Sequence, residues 1–336
     1  MQNTLAVISL KRILKNAQLV KERAGVPLYA VVKDDAYGHG AEQVALALEG
    51  AVKGFCVATV QEGAALRTSG VVKEILVLTP CLNEAEALSC AAYGLTPSLS
   101  SPASMKLALR AAERFAFPLT VQLAVNTGMN RYGFRPDFVR TACRTLLPNG
   151  VTVTGVYSHL YAPQIGAARE EQAALFQKAA EEVLSFYPTA IRHLSATGGI
   201  LAGGNRCDAV RAGIALYGYL PDGFEGTLAV RPALKIYAYV AGSAAFTGGG
   251  AGYAPAEKNY KYLHTLRVGY GDGVFRKDSL GAVGNLCMDA TVREGRAKFG
   301  ARKLLFESVT EYARAHGTTE YEALVNLTKK SERVYV

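Results

Sequence analysis

Between residues 26 and 212, short apolar runs rich in β-branched residues alternate with longer Ala-, Glu- and Leu-rich stretches. The runs PLYAVVK (27–33), GFCVATV (54–60), KEILVLT (73–79), GLTPSLS (94–100), LTVQLAV (119–125), VTVTGVYS (151–158), IRHLSA (191–196) and DAVRAG (208–213) have the length and composition of strands. Between them, AEQVALALEG, NEAEALSCAAYG, PASMKLALRAAERF and AREEQAALFQKAAEEVLSF read as helices. Strands that are apolar along their whole length are buried on both faces, which implies a parallel sheet covered by helices. About eight such units in about 200 residues predict a closed (β/α)8 barrel.

The texture changes after Leu220-Pro221-Asp222-Gly223. LAVRPALKIYAYVAGSAAF, YLHTLRVGY and GAVGNLCMDATV read as strands joined by turns, GSAAFTGGGAG as a flexible loop, and only 305–316 as a helix. The expected organisation is therefore a barrel over 1–222 and a smaller, mainly-β domain over 223–336, with residues 1–10 a strand able to join the β domain. With 336 residues, 50% hydrophobic and 19% charged, the chain can bury cores for both. No apolar run approaches the roughly 20 residues that span a bilayer, and the N-terminal stretch lacks the basic region of a signal peptide. Six scattered cysteines without CxxC pairs point to free thiols in a reducing cytoplasm and to no metal site. The formal charge of +9 is spread along the chain without a basic block, which argues against nucleic acid and suits attraction of an anionic small molecule.

In a β/α barrel, chemistry gathers at the C-terminal ends of the strands. Lys33 ends the first run and is followed by Asp34, Asp35, Ala36, Tyr37, Gly38 and His39. Arg131 follows the fifth run, His159 ends the sixth, Thr197-Gly198-Gly199 follow the seventh, and Arg211 lies at the end of the eighth. Singly, each is an ordinary loop cation, cap or turn. Their convergence suits a phosphate-bearing carbonyl cofactor: a desolvated lysine reacts with carbonyls, and Gly-rich turns with hydroxyls offer donors to phosphate. Spacing alone reaches a phosphate-binding barrel enzyme and no further.

AVVKDDAYGHG (30–40) resembles the cofactor-lysine motif of the alanine racemase family. NTGMNRYGF (126–134), GVYSHL (155–160), VRAGIALYG (210–218), GYGDG (269–273) and CMD (287–289) follow in the family's order, and the similarity runs from LKRILKNAQLVKER to TTEYEALV. The resemblance implies a head-to-tail homodimer in which each active site is completed by the partner's β domain. It implies that Lys33 carries pyridoxal 5'-phosphate, that Tyr37, Thr197, Gly213 and Ile214 bind its phosphate, and that Arg211, supported by His159, faces its pyridine nitrogen. Tyr253 would be the second acid/base and Met288 would approach the substrate carboxylate, both from the partner subunit. Arg131 would bind the substrate carboxylate, and Tyr270 and Asp289 would line the entrance.

The implied activity is two-base racemisation of a small amino acid, L- and D-alanine first, as a supply of D-alanine for peptidoglycan precursors. Racemases for serine or a basic amino acid, and a non-catalytic pyridoxal-phosphate-binding protein, are the alternatives. A related barrel decarboxylase would need a carboxylate at the pyridine nitrogen, where this chain has Arg211. The chain departs from the family pattern at Ala124, where many members have a lysine, at Asn126, which replaces an aspartate, and at Lys329, which falls near a gate tyrosine. The segment after Asp289 is also shorter than usual.

Overall fold

The computed structural model describes residues 2–114, 119–203, 207–276 and 281–336. The chain divides into two compact units: Ile13–Ala36 with Ala41–Arg231, and Met1–Arg12 with Tyr37–Gly40 and Pro232–Val336. The passage between the long segments falls at Arg231–Pro232, beyond the change of sequence texture at 222.

The first strand, β1 (Thr4–Ile8), belongs to the smaller unit. The larger unit is built on β2 (Leu28–Val31), β3 (Gly54–Val57), β4 (Glu74–Val77), β5 (Thr96–Leu99), β6 (Leu119–Ala124), β7 (Val151–Tyr157), β8 (Ile191–His193) and β9 (Val210–Ala212), all parallel, in the order β8-β7-β6-β5-β4-β3-β2-β9. The circle is drawn together between β8 and β9 by the backbone N–H of Asp208 and Ala209 donating to Arg192 O at 3.0 and 3.2 Å, and by Arg211 N–H donating to Ser195 O at 3.0 Å. The expected (β/α)8 barrel is what forms, and the strands are buried nearly throughout, as parallel strands covered by helices must be. The sequence reading has Lys33 inside the first strand, whereas β2 ends at Val31 and Lys33 opens a turn. The helix read as PASMKLALRAAERF is Pro102–Arg114, and its last residue lies outside the described residues.

In the smaller unit β10 (Leu234–Ala245) is the spine. β11 (Gly250–Ala251) and β12 (Ala254–Pro255) form a separate two-stranded ribbon. With β13 (Tyr262–Leu266), β14 (Thr291–Glu294), β15 (Arg302–Phe306) and β16 (Ser331–Tyr335), the sheet order is β14-β13-β10-β1-β16, and β15 also pairs with β10. β1 runs antiparallel to β10 and parallel to β16. The expected helix over 305–316 is corrected: Leu305 and Phe306 end β15, the helix is Thr310–Ala315, and a second helix spans Glu320–Thr328. Local capping explains the second one, since the Thr319 hydroxyl accepts from Glu322 N–H and two glutamates occupy the first turn.

Tyr37–Gly40 belongs to this unit. Arg333 Nε donates to Gly38 O at 3.0 Å. Gly38 and Gly40 have φ of 81° and 86°, and a Cβ would lie 1.8 Å from Thr328 Oγ1 and 1.9 Å from Tyr335 Oη respectively, so only glycine fits at either position.

Candidate active site

Lys33 opens a helical turn, Lys33–Tyr37, that winds the wrong way. Asp34, Asp35, Ala36 and Tyr37 have φ of 51°, 53°, 54° and 53°, and none is glycine. Left-handed helix costs an L-residue roughly 1–2 kcal/mol, so such a turn persists only where its surroundings over-determine it. Glu62 supplies one restraint: its Oε1 accepts from Asp34 N–H at 2.6 Å while its Oε2 accepts from Ala58 N–H and Thr59 N–H at 2.7 and 3.1 Å. Asp35 Oδ1 supplies another by accepting from Ala41 N–H at 2.8 Å. The capping glutamate of helix Val60–Thr68 thereby also fixes the residue next to Lys33.

Arg211, on β9, is 3% exposed. Its Nη1 donates to His193 Nδ1 at 2.7 Å and to His193 O at 2.8 Å, and its Nη2 donates to Ser158 O at 2.6 Å and Leu194 O at 3.1 Å. The guanidinium also lies over the Tyr157 ring, 5.1 Å from its centroid. Burial lowers the Arg211 pKa from its ordinary value, yet a guanidinium at this starting point stays charged. The imidazole bonded to Arg211 is thus that of His193, on the strand before it, whereas the family resemblance implied support from His159. His159 follows β7 and is partly buried. Burial first, then the charges of Arg211, Arg131 and Lys33, hold its pKa down to about 3.

Arg131 is exposed, its guanidinium 5.6 Å from the Tyr132 ring centroid. Its loop is shaped by Asn126, whose Oδ1 accepts from Gly128 N–H at 3.0 Å and Asn130 N–H at 3.1 Å. Asn126 Nδ2 donates to Asn130 Oδ1 at 3.0 Å, which an aspartate could not do. An open pocket of about 500 Å³ lies here, lined by Ser100, Ser101, Asn126, Asn130 and Arg131 among others. Ala124, buried at the end of β6, brings no ammonium group toward this loop.

Thr197 opens the helix Thr197–Leu201 and is 5% exposed. Gly213 precedes the 3-10 turn Ile214–Tyr217. Neither start carries a side-chain cap, which leaves backbone N–H groups for an anion. One amine, two guanidiniums, a hydroxyl and uncapped N–H groups make a donor set that fits a phosphate-bearing carbonyl compound whose ring nitrogen is left unprotonated.

In the smaller unit Tyr253 is 72% exposed and Met288 60%. The backbone draws their segments together: Gly252 bridges Asn285, Tyr270 N–H donates to Cys287 O at 3.1 Å, and Gly271 N–H donates to Met288 O at 2.7 Å. Gly269 permits this approach, because a Cβ there would lie 2.2 Å from Cys287 O. Tyr270 and Asp289 are exposed beside them, and Tyr37 is buried with its ring 5.8 Å from that of Tyr321. Lys33, Arg131, His159, Thr197, Arg211, Gly213 and Ile214 thus belong to the barrel, and Tyr37, Tyr253, Tyr270, Met288 and Asp289 to the β unit.

Sequence reasoning passed over Glu62, Glu74, Gln122 and His193. The available signal was a polar residue inside or beside an apolar strand run, as in KEILVLT, LTVQLAV and IRHLSA.

A parallel eight-stranded barrel with Lys33, Arg131 and Arg211 on or just after its strands, followed in the chain by a β unit, is an architecture suited to an enzyme that handles an anionic small molecule. The family model for the alanine racemase N-terminal domain matches residues 8–221. An alanine racemase of Streptococcus pyogenes is 30% identical over 361 aligned positions, covering 99% of this chain and 98% of the relative. That of Ligilactobacillus salivarius is 29% identical with the same coverage of both chains. The solved alanine racemase of Clostridium difficile 630 superposes with a TM-score of 0.91 at 25% identity, covering 100% of this chain and 96% of that one. The chain belongs to the alanine racemase family and is an amino-acid racemase, an isomerase. Among the described residues no helix is long and apolar enough to cross a membrane.

Proposed function

We propose that the protein interconverts L- and D-alanine with pyridoxal 5'-phosphate held on Lys33, as a cytoplasmic homodimer that supplies D-alanine for peptidoglycan precursors. The observation that carries this reading is the buried Arg211 guanidinium on β9, held by one imidazole nitrogen and three carbonyl oxygens with no carboxylate on it among the described residues, in the same barrel whose adjacent strand β2 leads into Lys33. When bound, the cofactor withdraws electrons from the substrate Cα and makes its proton removable. Thr197, the backbone of Gly213 and Ile214, and Tyr37 would hold its phosphate. Arg211 would lie against the pyridine nitrogen, where a permanent cation disfavours protonation and restrains side reactions such as transamination.

Racemisation takes a proton from one face of Cα and returns one to the other, so two acid/base groups are needed. The Lys33 amine would serve one face and Tyr253 of the partner subunit the other. Arg131 would orient the substrate carboxylate, and Met288 of the partner subunit would pack near it. Tyr270 and Asp289 would narrow the entrance. In this reading the barrel over 1–222 provides the cofactor site and the domain over 223–336 completes the site of the partner.

Borohydride reduction of the loaded protein is expected to fix the cofactor covalently on the peptide containing Lys33. Peptide mapping that found the reduced cofactor on another lysine would overturn the assignment.

A further inference from the structure

Arg211 is buried without a carboxylate on it: among the described residues its partners are one imidazole nitrogen and three carbonyl oxygens. From that imidazole a single file of hydrogen bonds runs through the barrel. His193 Nε2 lies 2.6 Å from Gln122 Oε1, Gln122 Nε2 donates to Glu74 Oε1 at 2.9 Å, and the Tyr29 hydroxyl donates to Glu74 Oε2 at 2.6 Å. Its direction is set from both ends. Guanidinium only donates, so His193 Nδ1 must accept and the ring proton sits on Nε2. An ionised carboxylate only accepts, so the Gln122 amide nitrogen faces Glu74 and its oxygen faces His193. Every member then has the partner that its chemistry requires.

The barrel makes room for this file. A Cβ on Gly155 of β7 would lie 2.8 Å from Gln122 Cδ, and one on Gly54 of β3 would lie 3.0 Å from the Tyr29 ring and 2.7 Å from Glu74 O. His193 is stacked between Tyr29 and Tyr157, with centroids 5.3 and 5.2 Å away. Tyr29, Gln122 and His193 are fully buried, and Glu74 keeps some contact with solvent.

We propose that Glu74 is a positioning residue for racemisation, which acts through Gln122 and His193 to fix the imidazole acceptor that holds the Arg211 guanidinium in place. A carboxylate directly on Arg211 would neutralise the charge offered to the pyridine nitrogen. Placed three hydrogen bonds away, it orients the arginine and leaves that charge available. The proposal rests on the reading that Arg211 faces the pyridine nitrogen.

The test compares Glu74→Gln, Glu74→Leu and Glu74→Lys in the full chain. Lysine only donates, so it forces the Gln122 amide to turn and presents a donor to His193 Nε2, which moves the ring proton toward Arg211. In cofactor-free protein labelled with ¹⁵N-histidine, His193 is expected to show the Nε2–H tautomer in the wild type and to lose it in Glu74→Lys. In loaded protein the same variant is expected to shift the cofactor absorption and to lower kcat about tenfold, the value of one hydrogen bond to a charged group, with KM for alanine little changed. Glu74→Gln, whose amide oxygen can still accept, is expected to lose the least and Glu74→Leu to fall between. Should the lysine variant fail to fold, Gln122→Met breaks the same file with an apolar side chain of similar size and is expected to disturb the His193 nitrogens likewise. Wild-type His193 signals in the lysine and leucine variants would overturn the proposal, as would a tautomer change with unaltered absorption and kcat. Misplacement of the cofactor lysine would instead overturn the reading beneath it, since the tautomer is read without cofactor.

Discussion

Lys33→Ala and Tyr253→Phe are each expected to abolish racemisation, and an equal mixture of the two is expected to regain about a quarter of wild-type activity. Loss of one acid/base group costs typically 10²–10⁴-fold, and Lys33 would in addition release the cofactor. If Tyr253 acts in the partner's site, a mixed dimer has one site with both lesions and one with neither. Random exchange makes about half of the dimers mixed, and half of their sites are intact. Tyr253 is 72% exposed, so removing its hydroxyl leaves the core untouched and lost activity reports chemistry. Differently tagged chains establish that exchange has taken place. Tagged heterodimers with activity at the single-variant background would show that Tyr253 is not a shared second base.

Arg211→Glu is expected to slow racemisation on the order of a hundredfold, comparable to removal of a preorganised electrostatic partner, and to raise transamination relative to it. A carboxylate stabilises a proton on the pyridine nitrogen where the guanidinium disfavours it. The substitution also places an acceptor among the carbonyls of His193, Ser158 and Leu194, so part of the protein will be destabilised. The ratio of the two reactions does not depend on the folded fraction and is therefore the quantity to measure. An unchanged ratio would contradict the role assigned to Arg211.

The eight apolar runs announced the barrel because a buried parallel strand writes its environment into a short stretch of sequence. Lys33, Arg131, His159, Thr197 and Arg211 stood out because strand-end positions are where polar residues interrupt that pattern. Other features were illegible because their causes lie far away in sequence. Nothing in KDDAY marks a left-handed turn, since no glycine occupies 34–37 and the restraint comes partly from Glu62. The two glycines of YGHG meet Thr328 and Tyr335, nearly three hundred residues later, which explains why Tyr37–Gly40 leaves the barrel for the β unit. His193 was hidden in a strand of three residues, and its partner Gln122, with Glu74 bonded to that glutamine in turn, comes from another strand. The helix expected over 305–316 overran the end of β15, and the helix Glu320–Thr328 was missed, because both helices are short and their stop and start signals nearly adjoin.

The measurement closest to the central claim starts from one enantiomer of alanine and follows both by chiral chromatography with loaded protein. Enantiomers have equal free energy in an achiral solution, so the account predicts convergence on equal amounts of L- and D-alanine from either side, with Lys33→Ala inactive. Conversion of serine or a basic amino acid with alanine untouched would contradict the substrate, and an unchanged enantiomer for every amino acid tried would contradict the reaction itself.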